Sequence, residues 1–163
     1  MIRLIVAIDR KRGLAKQGFQ PWYIPEDEQY FTTQTKSHGG IVLVGSTTYK
    51  ATFHGPLVDR QNYMLTHDET PIQGVKLVHN LDAFLEDFQD KDLWVIGGAN
   101  VFSQVIEAGK ADELYITHIE ADFGCTQFFP NYETGFQLAE RGELREQNGF
   151  IFSFARYITV SRP

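Results

Sequence analysis

The chain has 163 residues, 42% of them hydrophobic and 22% charged, which suits one folded domain with a sizeable core and excludes a disordered polymer. A formal net charge of −6 argues against the broad basic face that nucleic-acid binding needs, so no nucleic-acid partner is expected. A single cysteine, Cys125, excludes an internal disulfide and fits a reducing, cytoplasmic setting.

In chain order, the first apolar run is LIVAI at 4–8. It is too short for a signal-peptide core or a membrane span, so no membrane association is expected, and it reads as a buried strand. Residues 9–23 read as irregular and contain Gly13 and Gly18. Pro25 then opens a helix predicted to reach about Lys36, with Gly39-Gly40 beyond it as a stop. Further short runs rich in Val, Ile and Leu follow: IVLV (41–44), NYMLT (62–66), VKLVH (75–79), LWVI (93–96) and LYITHI (114–119). Such runs suit strands buried on both faces. Helical spacing appears near Thr47, over 81–88 and over 99–108. The C-terminal stretch alternates polar and apolar residues around Gln147-Asn148-Gly149, the pattern of an antiparallel hairpin. The expected fold is therefore α/β: a single domain over 1–163, a central, mostly parallel mixed sheet with helices on both faces, and a C-terminal antiparallel hairpin.

Two features carry chemistry. On the first helix Asp27, Phe31 and Thr35 fall on one stripe, with Ile24 leading into it. Burying Phe31 draws Asp27 inward, and a buried carboxylate is costly without a partner. No partner is evident in the sequence, which makes a ligand a candidate. The second feature is a pair of strand-to-helix junctions. One is Gly45-Ser46-Thr47-Thr48 after IVLV, and the other is Gly97-Gly98 after LWVI. Each places free N–H donors at the carboxyl edge of the sheet, where ligands of open α/β sheets bind. Glycines that merely turn the chain and Ser/Thr that merely cap a helix explain either junction alone. Two together favour one ligand spanning both, such as a dinucleotide, although neither is the GxGxxG or Walker pattern. The five histidines show no metal-ligand spacing, so no metal is expected.

With these features in place, the chain resembles the dihydrofolate reductase family, of the bacterial chromosomal type. The resemblance rests on LIVAIDRKRGLAKQGFQPWYIPEDEQYF, VLVGSTTYK, PLVDR, LWVIGGANVF, LYITHIEA and FFPNY, in the family's order and spacing over nearly the whole chain. It implies a cytoplasmic NADPH-dependent oxidoreductase that reduces 7,8-dihydrofolate to 5,6,7,8-tetrahydrofolate by hydride transfer to the pterin. Such an enzyme supports one-carbon metabolism and thymidylate synthesis, binds antifolates, and is expected to be a monomer.

The resemblance also assigns roles. Asp27 orients the pterin through two parallel hydrogen bonds and promotes N5 protonation through water. Trp22 helps hold that water, and Thr117 bonds Asp27 and the pterin amino group. Ile5, Ala7, Phe31, Phe53, Leu57 and Ile96 wall the folate pocket, and Arg60 grips the α-carboxylate of the glutamate tail. Ala7, Leu14, Gly18, Gly97, Gly98 and Ala99 meet the cofactor, with Thr47 and Thr48 at its pyrophosphate. Gly45, Ile96, Asn100, Val101 and Phe102 complete that surface. Ser46, Thr66 and His67 are the candidates near the 2′-phosphate. The loop over 9–23 is expected to close over nicotinamide and pterin.

Several positions depart from the family pattern. Ser46 and Asn100 stand where many relatives have arginine, which bears on the preference for NADPH over NADH. Glu28 replaces an apolar pocket residue, Phe102 a tyrosine, Ala15 a glycine, and Cys125 an aspartate that often helps hold the mobile loop. Two other readings compete. A riboflavin-pathway reductase shares the architecture without needing Asp27 or Arg60. A non-catalytic nucleotide-binding module leaves the buried acid without a purpose.

Overall fold

The computed structural model describes residues 1–160, so the far end of the expected 1–163 domain lies outside the described residues. The elements, in order, are β1 (Ile2–Ile8), β2 (Gly13–Ala15), α1 (Pro25–Lys36), β3 (Ile41–Gly45), α2 (Ser46–Thr52), β4 (Gln61–Leu65), β5 (Val75–Val78) and α3 (Leu81–Glu86). There follow β6 (Leu93–Val95), α4 (Ala99–Glu107), β7 (Glu113–Ile119), β8 (Gln127–Phe128), β9 (Phe136–Arg141), β10 (Arg145–Gln147) and β11 (Phe150–Thr159).

The main sheet runs β10-β11-β7-β1-β6-β3-β4-β5, with β9 also flanking β11. β1 is central and parallel to both β6 and β7. β3 is parallel to β6 and β4, and β4 to β5. Continuous apolar runs serve here because both faces are covered. Ile2, Leu4 and Ile8 of β1 share a core with Leu43, Val95, Leu81, Leu85, Val101 and Val105, under α3 and α4. On the opposite face Ile5 packs with Val42, Val44, Trp94 and Ile96, against Tyr30 and Phe31 of α1 and Tyr49 of α2. The mostly parallel sheet, the helices on both faces and the C-terminal hairpin are all present. The hairpin turns at Asn148 and Gly149, both at positive φ (53° and 80°), which a two-residue turn of this hand requires.

Two differences from the sequence reading stand out. The segment 9–23 is not wholly irregular: β2 pairs antiparallel with β8 in a separate two-stranded sheet. The C-terminal stretch is more than one hairpin, since β9 and β10 both pair with β11. Among the described residues no helix is long and apolar enough to cross a membrane.

The register has one consequence for the site. Ala7 of β1 lies opposite Thr117 of β7, which brings a residue late in the chain beneath the first turn of α1.

Candidate active site

Pro25 occupies the first helical position of α1, and Glu26, Asp27 and Glu28 fill its first turn, where carboxylates meet the positive end of the helix dipole. The stripe orients inward as expected. Ile24 and Thr35 are buried, and Asp27 and Phe31 between them are half-buried. They are half-buried because they face a cleft of about 430 Å³ between α1, α2 and the carboxyl edge of the sheet.

Thr117 donates its hydroxyl to Asp27 Oδ1 at 2.6 Å. Burial pushes the Asp27 carboxyl from its usual 3.8 up to about 6; the Thr117 hydrogen bond pulls against this and the Glu28 charge adds to it. Asp27 thus has one neutral partner from the protein, and its other oxygen remains open to a ligand with matched donors.

Every residue expected to wall the substrate pocket lines this cleft: Ile5, Ala7, Phe31, Phe53, Leu57, Ile96 and Arg60, beside Asp27 and Thr117. The Phe31 and Phe53 rings form a near-parallel pair, 6.1 Å between centroids. Arg60 is held firmly at the far end. Its Nη1 donates to Thr35 Oγ1 at 2.9 Å and its Nε to the Val58 carbonyl at 2.9 Å. Both acceptors are neutral, so the guanidinium charge stays available to an anion. Trp22 does not line the cleft; it is buried against Phe123, at 5.3 Å between ring centroids. Its Nε1 is buried without an acceptor among the described residues, the position of a donor that a water or ligand would satisfy.

The two junctions lie side by side because β3 and β6 pair, Leu43 opposite Val95. Gly45 N donates to the Gly97 carbonyl at 2.8 Å. Neither α2 nor α4 carries a side-chain cap on its first turn, which leaves those N–H groups free. Glycine is needed at this seam: a Cβ on Gly98 would stand 2.3 Å from Thr48 Oγ1, one on Gly45 2.9 Å from Val101 Cγ2. Gly97 has φ +125°, which other residues rarely adopt.

Leu14, Gly18, Thr47, Thr48, Gly97, Gly98, Ala99 and Phe102 all line the same cleft, continuous with the Asp27 end. Six residues expected at the cofactor do not line it: Gly45, Ser46, Thr66, His67, Asn100 and Val101. Val101 is core, packed against Gly45. Thr66 is buried in a turn, its hydroxyl accepting from Asp68 N at 3.0 Å. Ser46 is half-buried at the start of α2, and His67 is exposed at the end of β4.

Other lining residues escaped the sequence reading. Ala51 and Thr52 follow Thr47 and Thr48 by one helical turn, so the period alone would have found them. Gln127 gave no local signal. Its Oε1 accepts from Gly18 N at 3.0 Å and Thr126 Oγ1 accepts from Gln17 N at 2.8 Å, tying the 9–23 loop to a segment over a hundred residues away. Cys125 packs where the loop turns: a Cβ on Gly13 would lie 2.7 Å from its Sγ. Burial raises the Cys125 thiol to about 11, with the Asp9 charge adding to the rise, so it is no nucleophile. Among the described residues no group of three or more His, Cys, Asp or Glu side chains is placed to hold a metal ion.

This geometry agrees with the comparisons to known proteins. The sequence profile of the family described as dihydrofolate reductase matches residues 1–159. The dihydrofolate reductase of Bacillus subtilis is 30% identical over 162 residues, covering 96% of this chain and 94% of that protein. A type 3 dihydrofolate reductase of Salmonella typhimurium is 29% identical, covering 99% and 98%. Among solved structures, dihydrofolate reductase from Enterococcus faecalis, complexed with NADP(H) and RAB-propyl, superposes with a TM-score of 0.86 at 25% identity, covering 99% of this chain and 97% of that one. A match of sequence and fold over nearly the whole chain, around a cleft lined by the acid that the helix stripe singled out, means that this chain belongs to the dihydrofolate reductase family.

Proposed function

We propose that the protein catalyses the NADPH-dependent reduction of 7,8-dihydrofolate to 5,6,7,8-tetrahydrofolate. The observation that carries this reading is Asp27, a carboxylate held by one Thr117 hydroxyl, raised to about 6 by burial and opening onto an apolar cleft with Arg60 at its far end. A pterin presents two parallel N–H donors, which a planar carboxylate accepts in pairs. Its benzoyl-glutamate extension then lies along Phe31, Phe53 and Leu57, and its α-carboxylate reaches Arg60.

The residues of the second half of the cleft suit a dinucleotide. The uncapped starts of α2 and α4 offer N–H groups to a pyrophosphate, and the seam of Gly45, Gly97 and Gly98 lets a flat ring approach the backbone closely. NADPH, when bound, supplies the hydride. Asp27 and Thr117 fix the pterin face toward Ala7 and Gly97. The ionised Asp27 favours the positive charge that the pterin gains on protonation at N5, and water delivers that proton. Trp22 Nε1, buried and without an acceptor among the described residues, is suited to hold such a water. Leu14, Ala15, Gly18 and Gln20 of the loop cover the cleft and exclude bulk solvent. Tetrahydrofolate formation places the protein in one-carbon metabolism and thymidylate synthesis. We further propose that the whole chain acts as one domain, as a cytoplasmic monomer, with antifolates as ligands of the same cleft.

The test is direct. Loss of NADPH absorbance that depends on dihydrofolate is expected, and its absence would leave only a nucleotide-binding module. A 2,4-diaminopyrimidine is expected to bind wild type tightly and Asp27→Asn weakly. Equal binding would favour a reductase of flavin precursors instead.

A further inference from the structure

The first turn of α1 carries three acids with three different fates. Glu26 is paired with Arg145. Asp27 accepts from Thr117. Glu28 is exposed and lines the cleft, and its side chain has neither an ion pair nor a hydrogen bond among the described residues. The basic side chains are fewer. Arg60 is the only one among the described residues that lines the cleft. Lys36, at the end of α1, is engaged by Asp59 at 3.3 Å. The charged residues on the cleft wall are therefore two acids and one base.

On the folate reading above, we propose that Glu28 is a specificity-determining residue, an unneutralised charge on the cleft wall that selects against ligands whose tails carry additional carboxylates. A ligand with its flat end on Asp27 and its tail toward Arg60 runs along α1 past Glu28 and Thr32. Its first tail carboxylate meets Arg60. A second, and any added through further glutamates, meets no cation on the wall and shares the cleft with Glu28. Like charges across a wet cleft repel modestly and are screened by salt, so the first carboxylate beyond the one on Arg60 weakens binding by roughly threefold at low ionic strength, and each later one, farther along the tail, weakens it by less.

Glu28→Gln keeps the shape and removes the charge. The experiment compares kcat/KM of wild type and variant for a tail-less dihydropterin, for dihydrofolate with one glutamate and for dihydrofolate with three, in low salt and in high salt. Dividing by the tail-less value cancels any effect transmitted through the adjacent Asp27. At low salt the normalised value for the variant is expected to rise roughly threefold for one glutamate and roughly tenfold for three, and both gains shrink toward one at high salt. Normalised values that stay flat, or gains that persist in high salt, overturn the charge filter alone. Wild type inert toward all three substrates overturns the reaction assignment and the filter with it.

Discussion

Asp9 and Asp27 are both carboxylates drawn away from bulk water, yet they are satisfied in opposite ways. Asp9 is 3% exposed, and its oxygens accept from three backbone groups: Gly13 N at 2.7 Å, Lys11 N at 2.9 Å and Phe123 N at 3.1 Å. Every one of those donors belongs to the loop or to the segment that holds it, so Asp9 is finished as a structural clamp. Asp27 has a single side-chain donor, and burial raises its proton affinity instead of being compensated. A carboxylate that the fold leaves half-answered is a site, while one that the fold answers fully is a fastening.

The contrast can be broken by substitution. The largest effect is expected from Asp27→Asn, which keeps shape and removes charge. Its kcat/KM at neutral pH is predicted to fall about a thousandfold with the fold intact, read by steady-state kinetics and circular dichroism. Asp9→Ala is expected to do the reverse. Three backbone donors lose their acceptor, stability drops by about 3 kcal/mol, and the melting temperature falls by roughly 6–12 °C. Equal effects of the two changes on activity and on melting would erase the distinction.

Smaller changes sharpen it. Arg60→Leu is expected to raise the KM for dihydrofolate roughly thirtyfold while leaving a tail-less dihydropterin unaffected, since only the tail carboxylate is lost as a partner. Thermal melts against pH give the next effect. The fold raises the Asp27 carboxyl from 3.8 to about 6, so it favours the protonated form. That contribution is fully present below pH 3.8 and is lost as pH rises through 6. Asp27→Asn is thus expected to be more stable than wild type above pH 6, by about 2 kcal/mol, with the difference closing toward pH 4. Thr117→Val is expected to move the Asp27 titration upward by about one unit, because the hydroxyl bond that favours the charged form is gone.

The contrast also shows what a sequence can disclose. Strands such as IVLV were legible because a run buried on both faces needs no alternation, and the stripe of Asp27, Phe31 and Thr35 was legible because a helix repeats every 3.6 residues. The two Gly-bearing junctions were visible singly, and their adjacency follows from the pairing of β3 with β6, which local pattern does not encode. Asp27 stood out because it shares a stripe with Phe31, a signal that Asp9 lacked at the end of an ordinary strand. The β2–β8 pair was hidden: three residues against two, one of them glycine, carry no measurable period. Thr117 and Arg60 were placed by family resemblance alone, since the contacts that explain them, to Asp27 and to Thr35, span 90 and 25 residues. The 2′-phosphate roles of Ser46, Thr66 and His67 came from the same resemblance; Thr66 bonds within its own turn, His67 faces solvent and Ser46 is half-buried at the start of α2.

The most direct measurement is the titration of the Asp27 carboxyl itself, followed by carbon-13 resonances of labelled aspartate and assigned by their loss in Asp27→Asn. The account predicts a midpoint near 6 in the free protein and a shift well below that when a 2,4-diaminopyrimidine binds, because a protonated ligand pairs with the charged form. A midpoint near 3.8, unmoved by the ligand, would contradict it.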